Sequence, residues 1–342
     1  MKNTLLLFAS FLFIACGGQK SIITKTTSPV DQVKYVQSIS KEELKKYLEI
    51  VASDEMEGRE TGSAGQKRAG VYLIEQYKKM GIPFPKSASS YYQDIPEAYM
   101  NAKRKEGLPK SENIWAFIEG SEKPEEVVVL SAHYDHVGRN GEKIFNGADD
   151  DGSGTVALLE IAKAFNKAKK EGYGPKRSIL IMHFTAEEHG LQGSSFYTEN
   201  PIIPLKNTVA DINIDMIGRR DQRHEENNKY IYIIGSDYLS TELYQIVEEA
   251  NSKFTKLELD YKYNDKADRN RFYYRSDHYN FGKNGIPSVF LFNGVHADYH
   301  KSTDTVDKIE YDALQSRTQL AFAIAWEVAN RENKLIVDKT GK

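Results

Sequence analysis

Carboxylate and imidazole side chains recur in this sequence immediately after short apolar runs. The clearest case is the run at residues 127–130, which is followed by His133 and Asp135 and then by a glycine-punctuated loop with three consecutive aspartates, Asp149 to Asp151. Short apolar runs that are followed by turn residues are typical of buried strands. Histidine and aspartate at such a strand end, without a nearby cysteine, indicate a site for a divalent metal ion.

Three further apolar runs are followed by residues of the same kind. The runs are 178–185, 208–213 and 287–293, and the residues that follow them are Glu187 with Glu188, Asp215, and, after a loop, His300. Taken singly, each of these residues fits ordinary surface or helix-capping chemistry. Because open α/β sheets carry their sites at the carboxyl ends of their strands, the joint pattern predicts that these side chains meet His133 and Asp150 in one place.

The predicted cluster has the charge expected of a site for two metal ions. Two divalent cations carry four positive charges, Asp150, Glu188 and Asp215 return three, and one hydroxide would make the cluster neutral. When these ligands are divided between two ions, one ligand must be shared by both ions. Asp150 is the natural choice because its loop lies in the middle. A set of imidazoles and carboxylates favours Zn²⁺, with Co²⁺ or Mn²⁺ as substitutes.

The elements that must position these residues alternate along the chain. Largely apolar, β-rich runs predict strands at 113–119, 126–133, 178–185, 208–215, 229–235 and 287–293, and helical periodicity predicts helices at about 155–170, 239–253 and 309–330. Fully apolar strands separated by helices indicate a sheet that is covered on both faces. We therefore expect a three-layer α/β/α fold with a mixed, mostly parallel central sheet in a single catalytic domain.

Two amphipathic helices precede this alternating pattern. A capping box at Ser40 begins a helix that runs to about Ala52, and a second helix runs from about Gln66 to Met80. Residues 84–112 have no strong periodicity, which indicates a connection or an edge hairpin. The predicted domain covers residues 37–342.

The first residues of the chain are typical of an export signal. Residues 1–15 contain one lysine and an apolar run that is too short to span a bilayer, and the next residue, Cys16, is the only cysteine of the chain. Ala15-Cys16-Gly17-Gly18 looks like a bacterial lipoprotein cleavage box. We expect a lipid on Cys16, a polar tether over 16–36, and an exported protein anchored to the bacterial membrane, periplasmic or at the cell surface. The alternative is ordinary signal cleavage beside an incidental cysteine.

The composition limits the classes of partner. A chain of 342 residues with 40% hydrophobic content can bury a sizeable core. Its formal net charge of −3 leaves no basic excess for binding nucleic acid. We expect a monomer that contacts a membrane only through the lipid on Cys16.

The ordered motifs resemble those of one enzyme family. These motifs are His133-Tyr-Asp135, Gly147-Ala-Asp149-Asp150-Asp151, Glu187-Glu188, Asp215-Met, and Tyr299-His300 with Asp304. They resemble the secreted bacterial aminopeptidases with co-catalytic zinc, a family of leucyl aminopeptidase and glutamate carboxypeptidase-like zinc peptidases that also contains, more distantly, glutaminyl cyclase. The resemblance extends from about Ser40 to Asn330 and includes Ser53-Asp54, Gly58-Arg59 and Ser276-Asp277-His278.

The resemblance implies the ligands of two zinc ions. Asp150 would bridge them, His133 and Asp215 would hold one ion, and Glu188 and His300 would hold the other. The family also has a cis peptide bond after its bridging aspartate, which here is the bond between Asp150 and Asp151.

The resemblance also implies hydrolysis of peptides that have a free N-terminus, with release of the N-terminal amino acid. Glu187 would be the general base, and Asp135 would orient the His133 imidazole. The alternatives are a glutaminyl cyclase-like or carboxypeptidase-type relative and a non-catalytic, receptor-like member of the same fold. The full ligand set and the presence of Glu187 favour hydrolysis.

Other residues near the motifs compete for these roles. His136 and His189 adjoin proposed site residues, and His296 precedes His300 by four positions but lacks the glutamate of a zincin helix, so we expect it in a loop. His278 is expected either to line or buttress the site or to be purely structural. A further set of aromatic residues could form an apolar pocket or belong to the core: Tyr273, Tyr274 and Phe281.

Overall fold

Short apolar and β-branched runs form a central sheet. A computed structural model describes residues 32–102 and 106–339 of the chain. Its strands are β1 (Tyr92–Ile95), β2 (Ser111–Ile118), β3 (Lys123–His133), β4 (Arg139–Asn140), β5 (Lys143–Ile144), β6 (Arg177–Phe184), β7 (Thr208–Ile214), β8 (Tyr230–Ile234), β9 (Glu258–Asp260) and β10 (Ser288–Phe292). Within the described residues, β4 and β5 pair with each other, and the other strands form one sheet in the order β1-β2-β6-β3-β7-β10-β8-β9.

The four central strands of the sheet run in the same direction. β6, β3, β7 and β10 pair in parallel with their neighbours in this group, whereas β2 and β8 flank the group as antiparallel strands. The carboxyl ends of the central strands therefore lie along one edge of the sheet. This arrangement confirms the predicted mixed, mostly parallel sheet.

Helices cover both faces of the sheet. Their bounds are α1 (Gln32–Val36), α2 (Lys41–Val51), α3 (Ala64–Met80), α4 (Glu97–Met100), α5 (Gly154–Lys170), α6 (Gln192–Glu199), α7 (Thr241–Ala250), α8 (His278–Gly282) and α9 (Tyr311–Asn330). One apolar core lies between the sheet and α5 and α9, and a second core on the other face includes Val129 of β3, Tyr197 of α6 and Phe281 of α8. The three-layer α/β/α architecture is thus confirmed.

The larger core is centred on aromatic side chains of α5 and α9. The Phe165 ring lies 4.7 Å from the Phe322 ring and 5.8 Å from the Trp326 ring, measured between centroids. Phe165 is fully buried. Close packing of this kind leaves little room for relaxation when a side chain is shortened.

The start of the folded domain differs from the prediction. Residues 32–36 were expected in the tether, but they form α1, and its Tyr35 and Val36 side chains are buried in the larger core. Tyr35 stacks on Trp326 at a centroid distance of 5.4 Å. The predicted domain boundary at residue 37 is therefore corrected to include α1, because two apolar side chains gain burial there. The expected signal and Cys16 lie outside the described residues.

Two edge strands were not recognised individually in the sequence. β1 lies in the segment that was expected to be a connection or an edge hairpin, and β9 follows α7, whose helical path continues beyond Ala250 as a π-helix over Asn251–Thr255. Edge strands are short and need not alternate apolar and polar residues, so their periodicity is weak. Among the described residues, no helix has both the length and the apolar character required to cross a bilayer.

Replacing Phe165 by alanine should lower the free energy of unfolding by about 3–5 kcal/mol, because the change leaves a cavity between α5 and α9. Urea-induced unfolding followed by circular dichroism would measure the difference. Tyr173→Ala is the control, since that side chain is 40% exposed and should change stability by less than about 0.5 kcal/mol. Equal stability of the two variants would contradict the assigned core.

Candidate metal centre

The carboxyl edge of the central strands brings the predicted site residues together. His133 ends β3, Asp215 directly follows β7, and the Glu187-Glu188 pair follows β6. Asp150 lies in the loop before α5, and His300 follows β10 after a loop. The five predicted ligands and Glu187 thus converge, although they come from distant parts of the chain.

The first group of possible metal-binding atoms belongs to His133, Glu187 and Asp215. His133 Nε2 lies 3.3 Å from Asp150 Oδ1, 3.5 Å from Asp215 Oδ1 and 3.9 Å from Glu187 Oε2. A tetrahedral zinc ion with bonds of about 2.0–2.1 Å keeps its ligand atoms roughly 3.4 Å apart. The spacing of His133, Asp150 and Asp215 fits such an ion, and Glu187 stands slightly farther away.

The second group surrounds the other oxygen of Asp150. His300 Nε2 lies 3.0 Å from Asp150 Oδ2 and 3.0 Å from Glu188 Oε2. Asp150 therefore turns one carboxylate oxygen toward each group, as a shared ligand must. Its buried Oδ2 accepts no hydrogen bond from a described residue, and a cation at this position would satisfy that oxygen. The donor set, which is imidazole and carboxylate, fits zinc.

His136 is a member of the second group that the sequence analysis left without a role. It is fully buried, and its Nδ1 lies 2.9 Å from Glu188 Oε1 and 3.7 Å from Asp150 Oδ2. His136, Asp150 and Glu188 together form a group that could hold an ion. The hydrogen bond to Glu188 leaves the other oxygen of that carboxylate facing His300. His136 thereby fixes the orientation of a predicted ligand.

Asp135 connects His133 to Glu187. Its backbone carbonyl accepts a hydrogen bond from His133 Nδ1 at 3.1 Å, so His133 Nε2 is free to bind a cation. The Asp135 carboxylate accepts hydrogen bonds from the Glu187 backbone N–H at 3.2 Å and from the Thr61 hydroxyl at 2.9 Å. Asp135 therefore contacts the imidazole, as expected: its backbone oxygen accepts the hydrogen bond, and its carboxylate Oδ1 lies 3.7 Å from His133 Nδ1. Thr61 is a contributor that no motif in the sequence indicated.

The carboxyl groups respond differently to burial. Burial, followed by repulsion from Asp215 and Glu188, raises the pKa of Glu187 well above its ordinary value. Burial would also raise the pKa of Asp150, but the nearby imidazoles outweigh it and hold that pKa well below the ordinary value. Burial would also raise the pKa of Glu188, but His136 and His300 outweigh it and lower that pKa to about 2. The pKa of Glu187 therefore shifts in the opposite direction from those of Asp150 and Glu188.

Buried polar contacts hold the loop that carries Asp150. The Asp304 carboxylate accepts hydrogen bonds from the backbone N–H groups of Asp149 and Asp150 at 3.0 and 3.1 Å. The fully buried Arg59 side chain donates to the carbonyl oxygens of Asn146 at 2.7 Å and Gly147 at 2.9 Å. The peptide bond between Asp150 and Asp151 is cis, as the family resemblance implied.

The other predicted competitors lie around the centre. His189 contacts the Glu60 and Glu106 carboxylates, and His296 lies in a loop, as expected, 3.2 Å from Asp149 Oδ2. His278 is fully buried and stacks on Phe290 at 4.8 Å. The aromatic candidates divide as follows: Phe281 is in the core, Tyr273 is partly buried, and Tyr274 is 41% exposed.

An apolar wall adjoins the metal-binding atoms. The hollow that contains His133, Asp150, Glu187 and Asp215 is also lined by Met216, Phe272, Arg275, Phe290, Phe292, Val295 and Tyr299. Phe272, Phe290 and Phe292 are buried, so this wall is fixed by packing. The ring of Tyr299 stacks on His300 at a centroid distance of 3.9 Å. The three aromatic residues that the sequence offers either for a pocket or for the core, Tyr273, Tyr274 and Phe281, are not among those that line the hollow.

The fold and this cluster define a metalloprotein of the three-layer α/β/α class, with its site at the carboxyl edge of the sheet. The model of Peptidase family M28 matches residues 113–325, and the chain belongs to that family.

Known relatives agree with this assignment. A probable leucine aminopeptidase from Arthroderma otae is 32% identical over 64% of this chain and 58% of its own length. The Legionella pneumophila LapA aminopeptidase matches with a TM-score of 0.67 and 22% identity, over 88% of this chain and 75% of its own. BSAP, a zinc aminopeptidase from Bacillus subtilis, matches with a TM-score of 0.65 and 18% identity, over 88% of this chain and 99% of its own. The chain spans about 58% of the curated relative, and the two structures support the fold.

Binding of Zn²⁺ to the metal-free protein should release protons. Burial alone would lower the pKa of His300, but its contacts with the Asp150 and Glu188 carboxylates raise it to about 10. Burial would also lower the pKa of His133, but the carboxylates of Glu187 and Asp215 raise that pKa well above its ordinary value. Both imidazoles therefore carry a proton at neutral pH and must lose it to bind a cation. Zinc affinity should rise between about pH 6 and pH 9.

Calorimetry in buffers with different ionisation enthalpies would measure this proton release. The double variant His133→Ala/His300→Ala is the control, because it lacks both imidazoles. Zinc binding to the unmodified protein without release of protons would contradict these imidazoles as ligands.

Replacing His136 by alanine should weaken zinc binding by about 10–100-fold, because Glu188 loses the partner that orients it. Competition with a chromophoric chelator would measure the zinc affinity. The matched control is His189→Ala, since His189 adjoins Glu188 in sequence but contacts Glu60 and Glu106. Unchanged zinc affinity in the His136 variant would show that this contact has no role in metal binding.

Proposed function

We propose that this protein is an aminopeptidase with two zinc ions that releases N-terminal amino acids from peptides. The observation that carries the proposal is the position of Glu187. Its carboxylate lies in the hollow with His133 and Asp215, yet it is the farthest of the acids from His133 Nε2, at 3.9 Å. A general base for hydrolysis must lie beside the metal ligands but need not bind a metal ion itself.

The ligand assignment follows from the two groups of donor atoms. Asp150 would bridge the ions, His133 and Asp215 would complete one site, and Glu188 and His300 would complete the other. When bound, zinc would supply Lewis-acid activation of water and of the scissile carbonyl group. Co²⁺ or Mn²⁺ could replace it, since both accept the same ligands.

Proton transfer is the task of Glu187 in this proposal. Glu187 accepts a proton from the attacking water and delivers it to the amine that leaves. Burial and neighbouring carboxylates raise its pKa, which favours retention of that proton between the two steps. The hydrogen bond from the Glu187 backbone to Asp135 fixes the segment that carries this base relative to His133. Asp135 is thus a positioning residue.

Several observations support an aminopeptidase over the alternatives. The relatives from Arthroderma otae and Bacillus subtilis are described as aminopeptidases. The hollow has an apolar wall that includes Phe290 and Phe292, which suits the apolar side chain of an N-terminal residue. A non-catalytic binding protein would need no general base. The proposal extends to an exported protein anchored by a lipid on Cys16.

Replacing Glu187 by glutamine should leave both zinc ions bound and lower kcat by about 10²–10⁴-fold, because the amide cannot carry the proton. Hydrolysis of a panel of aminoacyl-p-nitroanilides would measure activity, and elemental analysis would measure zinc content. Chelation should abolish the activity of the unmodified protein, and added zinc should restore it.

The matched control is Glu226→Gln, which makes the same chemical change at an exposed position outside the hollow. It should retain full activity. Normal turnover by the Glu187 variant would exclude Glu187 as the base, and activity that is insensitive to chelation would exclude a metallopeptidase.

A further inference from the structure

A guanidinium group without an acidic partner lies at the hollow. Arg275 is exposed and lines the hollow together with Glu187 and Asp215. Among the described residues, no carboxylate lies within 4.0 Å of its side-chain nitrogens, in contrast to Arg219, which pairs with Asp298 at 3.1 Å. Arg275 therefore carries a positive charge for which the described part of the chain supplies no counter-charge at contact distance.

Two contacts hold this guanidinium in place. It lies 4.9 Å from the centroid of the Phe272 ring, and its Nη2 donates a hydrogen bond to the Tyr299 hydroxyl at 3.3 Å. Phe272 is buried, and Tyr299 stacks on His300. The guanidinium is thus attached to the apolar wall on one side and to the metal centre on the other. A preorganised arginine loses less conformational entropy when it binds an anion.

The chemistry of the surrounding groups limits what this arginine can bind. The other members of the wall, which include Met216, Phe292 and Val295, are apolar and offer no charge. The carboxylates of the hollow belong to the proposed metal centre. A guanidinium has a planar set of donors that matches a carboxylate, and the bond is strongest when both groups are charged. The complementary group must therefore come from the substrate.

We propose that Arg275 binds a carboxylate of the peptide substrate and makes the protein prefer short peptides that place such a group beside the scissile bond. This inference rests on the proposed peptidase function. One residue spans at most about 3.3–3.6 Å, so only a group close to the scissile carbonyl can reach a residue that lines the same hollow as Glu187. The free C-terminal carboxylate of a dipeptide meets this condition, as does an acidic side chain at either position.

Substrates that differ only in the carboxylate test the inference. The ratio of kcat/KM for Leu-Gly to that for Leu-Gly amide should be about ten in the unmodified protein, and it should fall to near one in Arg275→Gln. Arg275→Lys should give an intermediate ratio, since it retains the charge but not the planar donors. A second pair, Leu-Glu amide and Leu-Gln amide, and a third pair, Glu-Gly amide and Gln-Gly amide, identify whether a side-chain carboxylate can also serve.

The matched control is Arg271→Gln. Arg271 is exposed and lies over the Tyr274 ring at 4.8 Å, but it does not line the hollow. Its removal takes one positive charge from the same segment and should leave the Leu-Gly ratio unchanged. An equal loss of the ratio in both variants would indicate a general effect of charge and would overturn the role of Arg275.

A binding measurement separates this inference from the proposed function. In the Glu187→Gln background, calorimetry should show about tenfold tighter binding of Leu-Gly than of its amide, and Arg275→Gln should abolish the difference. If leucyl-p-nitroanilide is cleaved but the carboxylate has no effect on kcat/KM or on binding, the role of Arg275 is wrong and the peptidase function stands. If no peptide or anilide is cleaved while the binding difference persists, the function is wrong and the carboxylate site stands.

Discussion

Acidic side chains that repel one another must be kept together at the edge of the sheet, and the centre depends on how this repulsion is offset. Asp150 and Asp215 are buried, and Glu187 and Glu188 are nearly so. An unpaired buried charge costs several kcal/mol, so imidazoles, protons or cations must compensate. Imidazoles near Asp150 outweigh burial and lower the pKa of that acid, whereas burial and neighbouring carboxylates raise the pKa of Glu187. The opposite pKa shifts of these two acids are responses to the same constraint.

Repulsion between ligands must also be resisted by the backbone. Asp151 accepts hydrogen bonds from the backbone N–H groups of His133 at 3.2 Å, Gly154 at 2.8 Å and Met216 at 3.1 Å. It thereby ties together the end of β3, the start of α5 and the residue after Asp215. Gly147, with φ of 56°, allows the loop to turn where a Cβ atom would lie 2.2 Å from the Asp150 carbonyl oxygen. Main-chain contacts therefore fix the ligands before any ion is bound.

The sequence was sufficient to predict the strands and helices that have a clear hydrophobic pattern. The central strands are rich in apolar residues and largely buried, and their common direction places His133, Asp215 and Glu188 at one edge. Periodicity could not reveal β9, because it has only three residues, two of them acidic and none fully buried. It also could not assign His136, whose contact with Glu188 depends on the path of a loop that pairs with Glu60. Contacts made by loops require the three-dimensional path of the chain.

The residues of the apolar wall also could not be assigned from periodicity. Their position shows that the wall and the proposed metal ligands belong to different elements of the fold. Phe272 and Arg275 lie in and just after a short 3-10 turn, whereas the proposed ligands follow the strands of the sheet. The turn contacts the centre through side chains such as Arg275, which donates a hydrogen bond to Tyr299, whereas the buried hydrogen bonds of Asp151 hold His133 and the residue after Asp215. The proposed substrate selection and the proposed metal binding are therefore assigned to separate elements that meet at Tyr299 and His300. If both proposals hold, a change of side chain in the turn alters the substrates accepted while the hydrogen bonds of Asp151 continue to hold the centre.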